Sequence, residues 1–450
     1  MFKSVTSFFS LYLAILLLQS GAGLFNTYIG LRLTASAVSE VWVGALIAAY
    51  YAGLVFGARI GHKLIIRVGH IRAYGAAAAV ATATVLAQAL VDNLWVWLAF
   101  RFVAGIAMVT QFMVIESWLN EQTENHLRGR IFAFYMVFSG AGTVSGQLSL
   151  TLFPHLNYEP LVFVAICMSL CLVPIALTGR VHPAIQKPAP IYIKYYLARV
   201  PMSLLVFFVA GNINGAFYGL APVYGAKVGL SNSEAAVFLA VAVAAGLASQ
   251  WPMGWLADRV NRAGLIRINA VMLLLLTLPL WGWWQFPFWA LLLFSAAYGI
   301  LQFTMYPLGA AFANDNVDPE RRVGLSAMLL MVYGVGACLG PLFVGLLMRH
   351  ISTGMFYVFV SCCALVLVAF VRPRKVTGAH LSQDAPTNFV PMPDSLQASP
   401  VAAELDPRVD VQSDISRDPI LEQTDGETPV GDEAPAAGTE DPAASAATGS

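Results

Sequence analysis

FRFVAGIAMVTQFMVIESWLNEQTENHLRGRIFAFYMVFSGAGTVSG, residues 100–146, decides the fold, because FSAAYGILQFTMYPLGAAFANDNVDPERRVGLSAMLLMVYGVGACLG, residues 294–340, repeats its pattern 194 positions later. Six residues show the offset most clearly: Gly105, Glu121, Arg128, Gly140, Gly142 and Gly146 return as Gly299, Asp315, Arg322, Gly334, Gly336 and Gly340. Each copy reads as an apolar helix, a loop that runs from acidic to basic, and a second apolar helix rich in glycine. Repetition at one fixed spacing indicates an internal duplication. The sequence therefore predicts a chain built from two similar halves.

The composition is that of a membrane protein. Hydrophobic residues make up 58% of the chain and charged residues 11%, whereas soluble proteins carry about 25% charged residues. The net charge of zero conceals a division, since residues 376–450 hold 14 of the 25 acidic residues and only 2 of the 25 basic ones. The body that precedes this tail is therefore strongly basic, and the tail is acidic.

Twelve apolar runs are long enough to cross a bilayer, which takes about 20 residues in a helix. They are centred near Leu18, Tyr50, Thr82, Gly105, Phe138, Met168, Ala210, Val243, Leu274, Ala297, Val335 and Leu365. With twelve spans, 19 basic residues fall on the side that carries both termini and three on the other side. Because cytoplasmic loops are enriched in Lys and Arg, we expect both termini to be cytoplasmic.

Four regions follow from these runs. Residues 1–178 form a first six-helix bundle and 202–375 a second, joined by a polar, basic connector at 179–201. Residues 376–450 are rich in Ala, Pro, Ser, Thr and acids. A segment of that composition buries too little apolar surface to order itself, so we predict a disordered cytoplasmic tail.

Three short motifs resemble those of the major facilitator superfamily. GWLADR at 254–259 resembles the loop motif that this family carries between the second and third helices of each half. The corresponding KLIIRVGH at 63–70 has Ile66 in place of the family's acid. RFVAG at 101–105 resembles the family's fourth-helix element, and GACLGP at 336–341 its glycine-proline motif, here in the eleventh helix instead of the fifth.

The resemblance implies an all-α fold of twelve transmembrane helices in two pseudo-symmetric six-helix bundles. It also implies a monomeric secondary transporter in a bacterial inner membrane, which moves a small organic solute by alternating access and uses protons as the coupling ion. The stretches 116–120 and 306–315 resemble a poorly characterised, YcaD-like bacterial branch of the family. The competing hypothesis is a transport-inactive sensor or scaffold whose acidic tail binds a partner.

Among the residues of the predicted spans, Arg101 is the one whose burial in the bilayer costs the most free energy. A guanidinium within the bilayer costs about 2.5–3.5 kcal/mol on insertion scales unless it is paired or hydrated. One interpretation is structural, with Arg101 bonded to backbone carbonyls, Asn or Gln. The other assigns it to binding of a substrate anion or to proton coupling.

The repeat selects further candidates for substrate binding. Under the offset of 194, the helical stripe that begins at Arg101 corresponds to a stripe on the tenth helix, which would face the same central volume. The predicted substrate-binding residues are Gln19, Asn26, Arg101, Asn214, Tyr218, Tyr298, Gln302 and Tyr306. The alternative for the tyrosines is packing between helices.

Coupling and latching residues are expected near the cytoplasmic ends of helices. Glu116 and Asp315 are the coupling candidates, because the resemblance implies protons and no acid lies in the middle of the first, seventh or tenth helix. For the closed cytoplasmic side the resemblance implies a latch in which Asp258, with Gly254 and Arg259 of its motif, approaches the start of the fifth helix at Gly129 and Arg130. A carboxylate is stabilised there by unpaired N–H groups.

Other functional classes find no support in the sequence. No nucleophile motif, phosphate-binding loop or metal-ligand spacing is present, so we expect neither an enzyme nor a cofactor nor a metal site. The basic loops follow from membrane topology, and we therefore expect no nucleic-acid partner. The expected partners are the lipid bilayer, a small-molecule substrate and protons.

Overall fold

The protein is all helical over the residues that the structure describes, and it was obtained as a computed structural model. The described residues are 8–123, 127–177, 192–371, 381–382, 385–390, 398–399 and 401–402. Eleven of their helices are long and apolar enough to cross a membrane, and the shorter apolar helix Met355–Phe370 follows them. This agrees with the twelve spans expected from the sequence.

The N-terminal half contains six helices. These are α1 (Phe9–Ala35), α2 (Glu40–Val68), α3 (His70–Leu90), α4 (Leu94–Glu121), α5 (Arg128–Ser149) and α6, which is interrupted once (Glu159–Leu170 and Leu172–Ala176). The start of α1 near Phe9 and the end of α2 near Val68 lie at one end of the helix bundle. This end is here called the basic face, because the arginine-rich loops are there. Glu40 and Ala35 are on the opposite face.

The C-terminal half repeats this order. Its helices are α7 (Pro201–Lys227), α8 (Asn232–Ala257), α9 (Arg262–Thr277), α10, which is interrupted once (Phe288–Phe303 and Met305–Asn314), α11 (Arg322–His350) and α12 (Met355–Phe370). Residues 179–191 of the connector lie outside the described residues. Its short helix Ile193–Arg199 packs on this half, since the Tyr196 hydroxyl donates to the Arg321 carbonyl at 2.9 Å.

Polar residues explain where several helices begin. A side-chain oxygen at the N-cap accepts a hydrogen bond from an otherwise unpaired N–H group of the first turn. Four helices (α2, α4, α8 and α9) are capped in this way, by Ser39, Asn93, Ser231 and Asn261.

Close glycine contacts confirm the internal duplication at the level of packing. Three contacts recur: Gly142 with Leu16, Gly146 with Ser20 and Gly23 with Thr143 return as Gly336 with Phe208, Gly340 with Asn212 and Gly215 with Ala337. Equivalent residues of α1 and α7 are therefore 192 positions apart, as Leu16 and Phe208 are. Equivalent residues of α5 and α11 are 194 positions apart. Without a Cβ, the glycines let the helix backbones approach each other directly.

Contacts between the halves extend from the opposite face towards the middle of the membrane. Gly44 of α2 lies against the Pro341 backbone of α11, and Gly30 of α1 lies against Pro222 of α7. At the end of these helices Lys227 forms an ion pair with Glu40. The opposite face is thus closed by direct contact between the halves.

At the basic face, parts of the tail lie against the body. Val390, Ala398, Ser399 and Ala402 are each at most 5% exposed. The expectation of a disordered tail over 376–450 does not hold for these residues, although most of the tail lies outside the described residues. The prediction used the composition of the whole tail, but its acids are unevenly distributed. Residues 381–402 contain only 2 of the 14, Asp384 and Asp394.

The helix contact at Gly340 predicts a marked sensitivity to one methyl group. In Gly340→Ala the new Cβ would overlap the Asn212 carbonyl of α7, and overpacking of this kind costs about 1–3 kcal/mol. We expect a lower melting temperature for the detergent-solubilised protein. Gly75→Ala is the matched control, because its nearest neighbour would be Leu172 Cδ1 at 3.7 Å. Equal melting temperatures for the two variants would contradict the packing described above.

Candidate functional site

Arg101 of α4 lies inside the N-terminal half and bonds to another predicted site residue. Its Nη2 donates to Asn26 Oδ1 of α1 at 2.7 Å. The guanidinium carbon lies 4.8 Å from the ring centroid of Phe25 and 4.9 Å from that of Tyr50, both within the range of cation–π attraction. Arg101 thus has an Asn as a hydrogen-bond partner, and its role, structural or in binding, stays a prediction.

The charge of Arg101 is nonetheless not neutralised. The residue is 1% exposed, and among the described residues it forms no ion pair. Its buried Nε has no hydrogen-bond partner there either. An amide oxygen and two aromatic faces stabilise a cation only in part, so the cluster is suited to an anionic or strongly accepting ligand group.

A second polar cluster lies inside the C-terminal half. Gln302 Nε2 of α10 donates to Asn214 Oδ1 of α7 at 3.1 Å, and Asn214 Nδ2 donates to the Tyr333 hydroxyl of α11 at 2.8 Å. The Tyr306 ring packs edge-on against Tyr333, with centroids 5.2 Å apart. Gln302 Oε1 is buried without a hydrogen-bond partner in the described part of the chain. The cluster is neutral and offers hydrogen-bond donors and acceptors.

The remaining predicted binding residues are buried, but their described contacts are not with these two clusters. Gln19 donates to the Ser139 hydroxyl at 3.1 Å within the N-terminal half. Tyr298 stacks on Phe217, with centroids 5.2 Å apart, and Tyr218 packs near Phe303. The predicted stripe on α10 therefore divides, with Gln302 and Tyr306 near Asn214 and Tyr298 packed against aromatic rings.

Glu116 of α4 is buried near the basic face. Its carboxylate accepts a hydrogen bond from the Tyr135 hydroxyl of α5 at 2.9 Å. The amide of Ser399 in the tail lies 3.1 Å from each of its oxygens, and the Ser399 hydroxyl bonds to the same group. The coupling candidate is thus enclosed by polar donors from a helix and from the tail.

Asp315, at the end of α10, belongs to a network of charges in the C-terminal half. Arg262 Nη1 lies 2.6 Å from Asp315 Oδ1, and Arg262 Nη2 lies 3.0 Å from Asp258 Oδ1. The amide and hydroxyl of Thr387 in the tail each donate to Asp315 Oδ1 at 2.9 Å. Glu116 and Asp315 therefore face the tail from different halves.

Sequence reasoning missed several partners in these clusters, namely Phe25, Tyr50, Tyr135, Arg262 and Tyr333. The repeat contained one usable signal. Tyr333 stands 194 positions after Ser139, and each hydroxyl accepts from an amide on the first helix of its half. The Glu40–Lys227 ion pair could not be predicted in this way, because nothing in the sequence relates the start of α2 to the end of α7.

Comparison with known proteins identifies the family. The sequence model of the Major Facilitator Superfamily matches residues 9–302 and 270–421. The chain belongs to the Major Facilitator Superfamily.

Relatives within this superfamily cover most of the chain. The uncharacterized transporter YcaD of Escherichia fergusonii is 29% identical over 366 residues, which cover 81% of this chain and 94% of the relative. A second uncharacterized MFS-type transporter, from Enterobacter sp. strain 638, is 29% identical over 368 residues, with 81% and 94% covered. The resemblance to the YcaD-like branch is therefore confirmed.

Solved structures of transporters share the fold. The nucleoside transporter NupG has a TM-score of 0.69 at 14% identity and covers 81% of this chain and 98% of its own. The D-xylose–proton symporter has a TM-score of 0.66 at 13% identity, with 89% and 100% covered. At such low identity the likeness concerns the MFS fold alone.

The loop motif of the superfamily makes contacts other than the predicted latch. Among the described residues, the Asp258 carboxylate is bonded to Arg262 and to the Phe389 amide, and Arg259 lies over the Trp255 ring. Gly129 and Arg130 are at the start of α5, as expected. The latch was predicted for a closed basic face, and it stays a prediction.

The Arg101 cluster predicts non-additive effects on stability. In Asn26→Leu the buried guanidinium loses its bonded partner, which costs about 1.5–3 kcal/mol for a hydrogen bond to a charged group. Adding Arg101→Met removes the unpaired charge, so the double variant should melt above Asn26→Leu alone. Melting of all four proteins of the cycle in detergent provides the measurement. Strictly additive shifts would mean that the two side chains are not coupled.

Proposed function

We propose that this MFS protein is a secondary active transporter that moves a small organic solute by alternating access. The observation that carries the proposal is where the described contacts between the halves lie. Glycine contacts and an ion pair join them on the opposite face, while a buried polar cluster lies in each half. A solute held between such clusters could be exposed to either side by rocking of the halves.

The clusters favour a solute with an anionic or strongly accepting group and additional hydrogen-bonding groups. Arg101 offers a positive charge without a counter-ion among the described residues, and Gln302, Asn214 and Tyr333 offer amide and hydroxyl groups. The remaining predicted binding residues would act as packing around the site. A screen of metabolites for thermal stabilisation, followed by uptake into proteoliposomes, tests the proposal. A wild-type protein that binds but never transports its ligands would overturn it.

We further propose that the basic face is cytoplasmic, as the loop charges favour, and that the monomer is the working unit in a bacterial inner membrane. The described structure is then closed to the outside. In this arrangement the Glu40–Lys227 ion pair acts as an outer gate.

The outer gate predicts a conformational shift. Removing the charge in Lys227→Met should favour opening of the opposite face, because the ion pair is lost and Glu40 is left buried without it. A cysteine in place of Ile47, which lies against Gly219 of α7, should then react several-fold faster with an impermeant maleimide. Glu159→Gln, which removes an exposed acid at the start of α6, serves as control. Unchanged labelling in Lys227→Met would contradict the gate.

We also propose that protons drive transport through Glu116, with Asp315 in a secondary role. In Glu116→Gln the side chain keeps its shape and cannot exchange a proton, so uptake should no longer respond to a pH gradient. Glu121→Gln, at an exposed acid on the same helix, should leave the response intact. Uptake of a solute found by the screen, with and without the gradient, provides the measurement. A full response in both Glu116→Gln and Asp315→Asn would exclude this role.

A further inference from the structure

Parts of the tail between residues 381 and 402 lie at the basic face, where Thr387 contacts the C-terminal half and Ser399 the N-terminal half. The described residues of this stretch (381–382, 385–390, 398–399 and 401–402) are here called the strap. The strap belongs to the same chain, yet it contacts the body in the manner of a bound peptide. Its contacts fall into three groups.

The first group lies on the C-terminal half. Thr387 presents its amide and its hydroxyl to Asp315 Oδ1, each at 2.9 Å. The Thr387 carbonyl accepts from Arg262 Nη2, and the Ser382 amide donates to the Asp315 carbonyl at 2.8 Å. One threonine is therefore held by a carboxylate and a guanidinium that also pair with each other.

The second group repeats this chemistry on the N-terminal half. Ser399 presents its amide and its hydroxyl to the Glu116 carboxylate, which the Tyr135 hydroxyl also contacts. Ser399 is 2% exposed and its carboxylate partner is fully buried. In both halves a carboxylate thus receives the paired N–H and O–H donors of a single hydroxyl-bearing residue, and charge-assisted hydrogen bonds are the strong kind.

The third group covers the loop motif on α8. The Phe389 amide donates to Asp258 Oδ1 at 2.8 Å, and the Phe389 ring packs so closely on Gly254 that a Cβ there would overlap it. The surface that the latch would need is thereby occupied.

We propose that Glu116 with Tyr135 and Asp315 with Arg262 form a two-part binding site for a peptide carrying two hydroxyl residues, and that this chain's own strap occupies it and inhibits transport. The strap joins both halves at the face that must close during alternating access, so closure and strap binding exclude each other. It also covers both candidate coupling carboxylates. The inhibitory part of the inference rests on the proposed transport function, whereas the binding part does not.

Hydrogen–deuterium exchange of the full-length protein tests the binding part without any substrate. The amides of Thr387, Phe389 and Ser399 donate to carboxylates of the body, so these three amides should exchange slowly. Ser399→Asp places a second negative charge against Glu116 and should raise the exchange rate at least about tenfold. Ser399→Thr keeps both donors and should exchange like the wild type. Equal exchange in Ser399→Asp and Ser399→Thr would overturn the site.

Two truncations test the inhibition. Removing 381–450 deletes the strap, whereas removing 403–450 keeps every described contact of the strap and deletes 12 of the tail's 14 acids. Coupling between two sites typically amounts to about 5–150-fold, so we expect uptake about 5-fold faster or more in the first variant and unchanged uptake in the second. Their melting temperatures, measured in parallel, verify that both are folded.

The possible failures can be told apart. Exchange as expected with equal uptake by the full-length protein and the variant lacking 381–450 would overturn inhibition and leave the peptide site standing. Exchange as expected with no transport by any variant would overturn the proposed function instead. Faster uptake on removal of 403–450 alone would assign the inhibition to the acidic end of the tail and overturn the role of the strap.

Discussion

Direct contact between helix backbones is the constraint on which the rest of this structure depends. In a bilayer the hydrophobic effect does not drive helices together, so they associate through close packing of small residues and through polar contacts. Gly142, Gly146 and Gly23 bring α1 and α5 together, and their equivalents bring α7 and α11 together. In each half, glycine therefore determines how closely the first and fifth helices pack. The same device, at Gly44 and Gly30, joins the two halves.

The two faces of the protein are held by different kinds of interaction. On the opposite face, glycine contacts and the Glu40–Lys227 ion pair join the halves directly. At the basic face, the carboxylates Glu116 and Asp315 are joined only through the strap among the contacts described above. Where two helix backbones touch at a glycine, no other group readily fits in place of the partner helix. A peptide held by hydrogen bonds can be exchanged for water, so we propose that the basic face is the one that can open and close.

The fold alone does not define what the protein transports. Transporters with different substrates share it at low sequence identity, so specificity resides in particular side chains rather than in the arrangement of helices. In this chain we propose that those side chains belong to one charged and one neutral cluster. The charged cluster combines Arg101 with Asn26 and aromatic rings, and the neutral one joins α7, α10 and α11 through Asn214. Both are buried, so their polar groups are held in defined positions.

The sequence by itself determined the number of spans, the duplication and the family, because these depend on local periodicity, hydropathy and short motifs. It also selected Arg101 and Asn26, since a charge and an amide within a membrane helix are conspicuous wherever they point. Only the tertiary structure decided that these two residues are bonded, that Tyr298 packs on Phe217 instead of joining Gln302, and that Glu40 meets Lys227. These contacts depend on how helices that are distant in sequence are rotated and positioned against each other. The spacing of residues along the sequence does not contain that information. The strap could not be predicted for the same reason. The average composition of 376–450 describes how a free segment behaves, whereas Ser399 and Thr387 are held by carboxylates on the folded body.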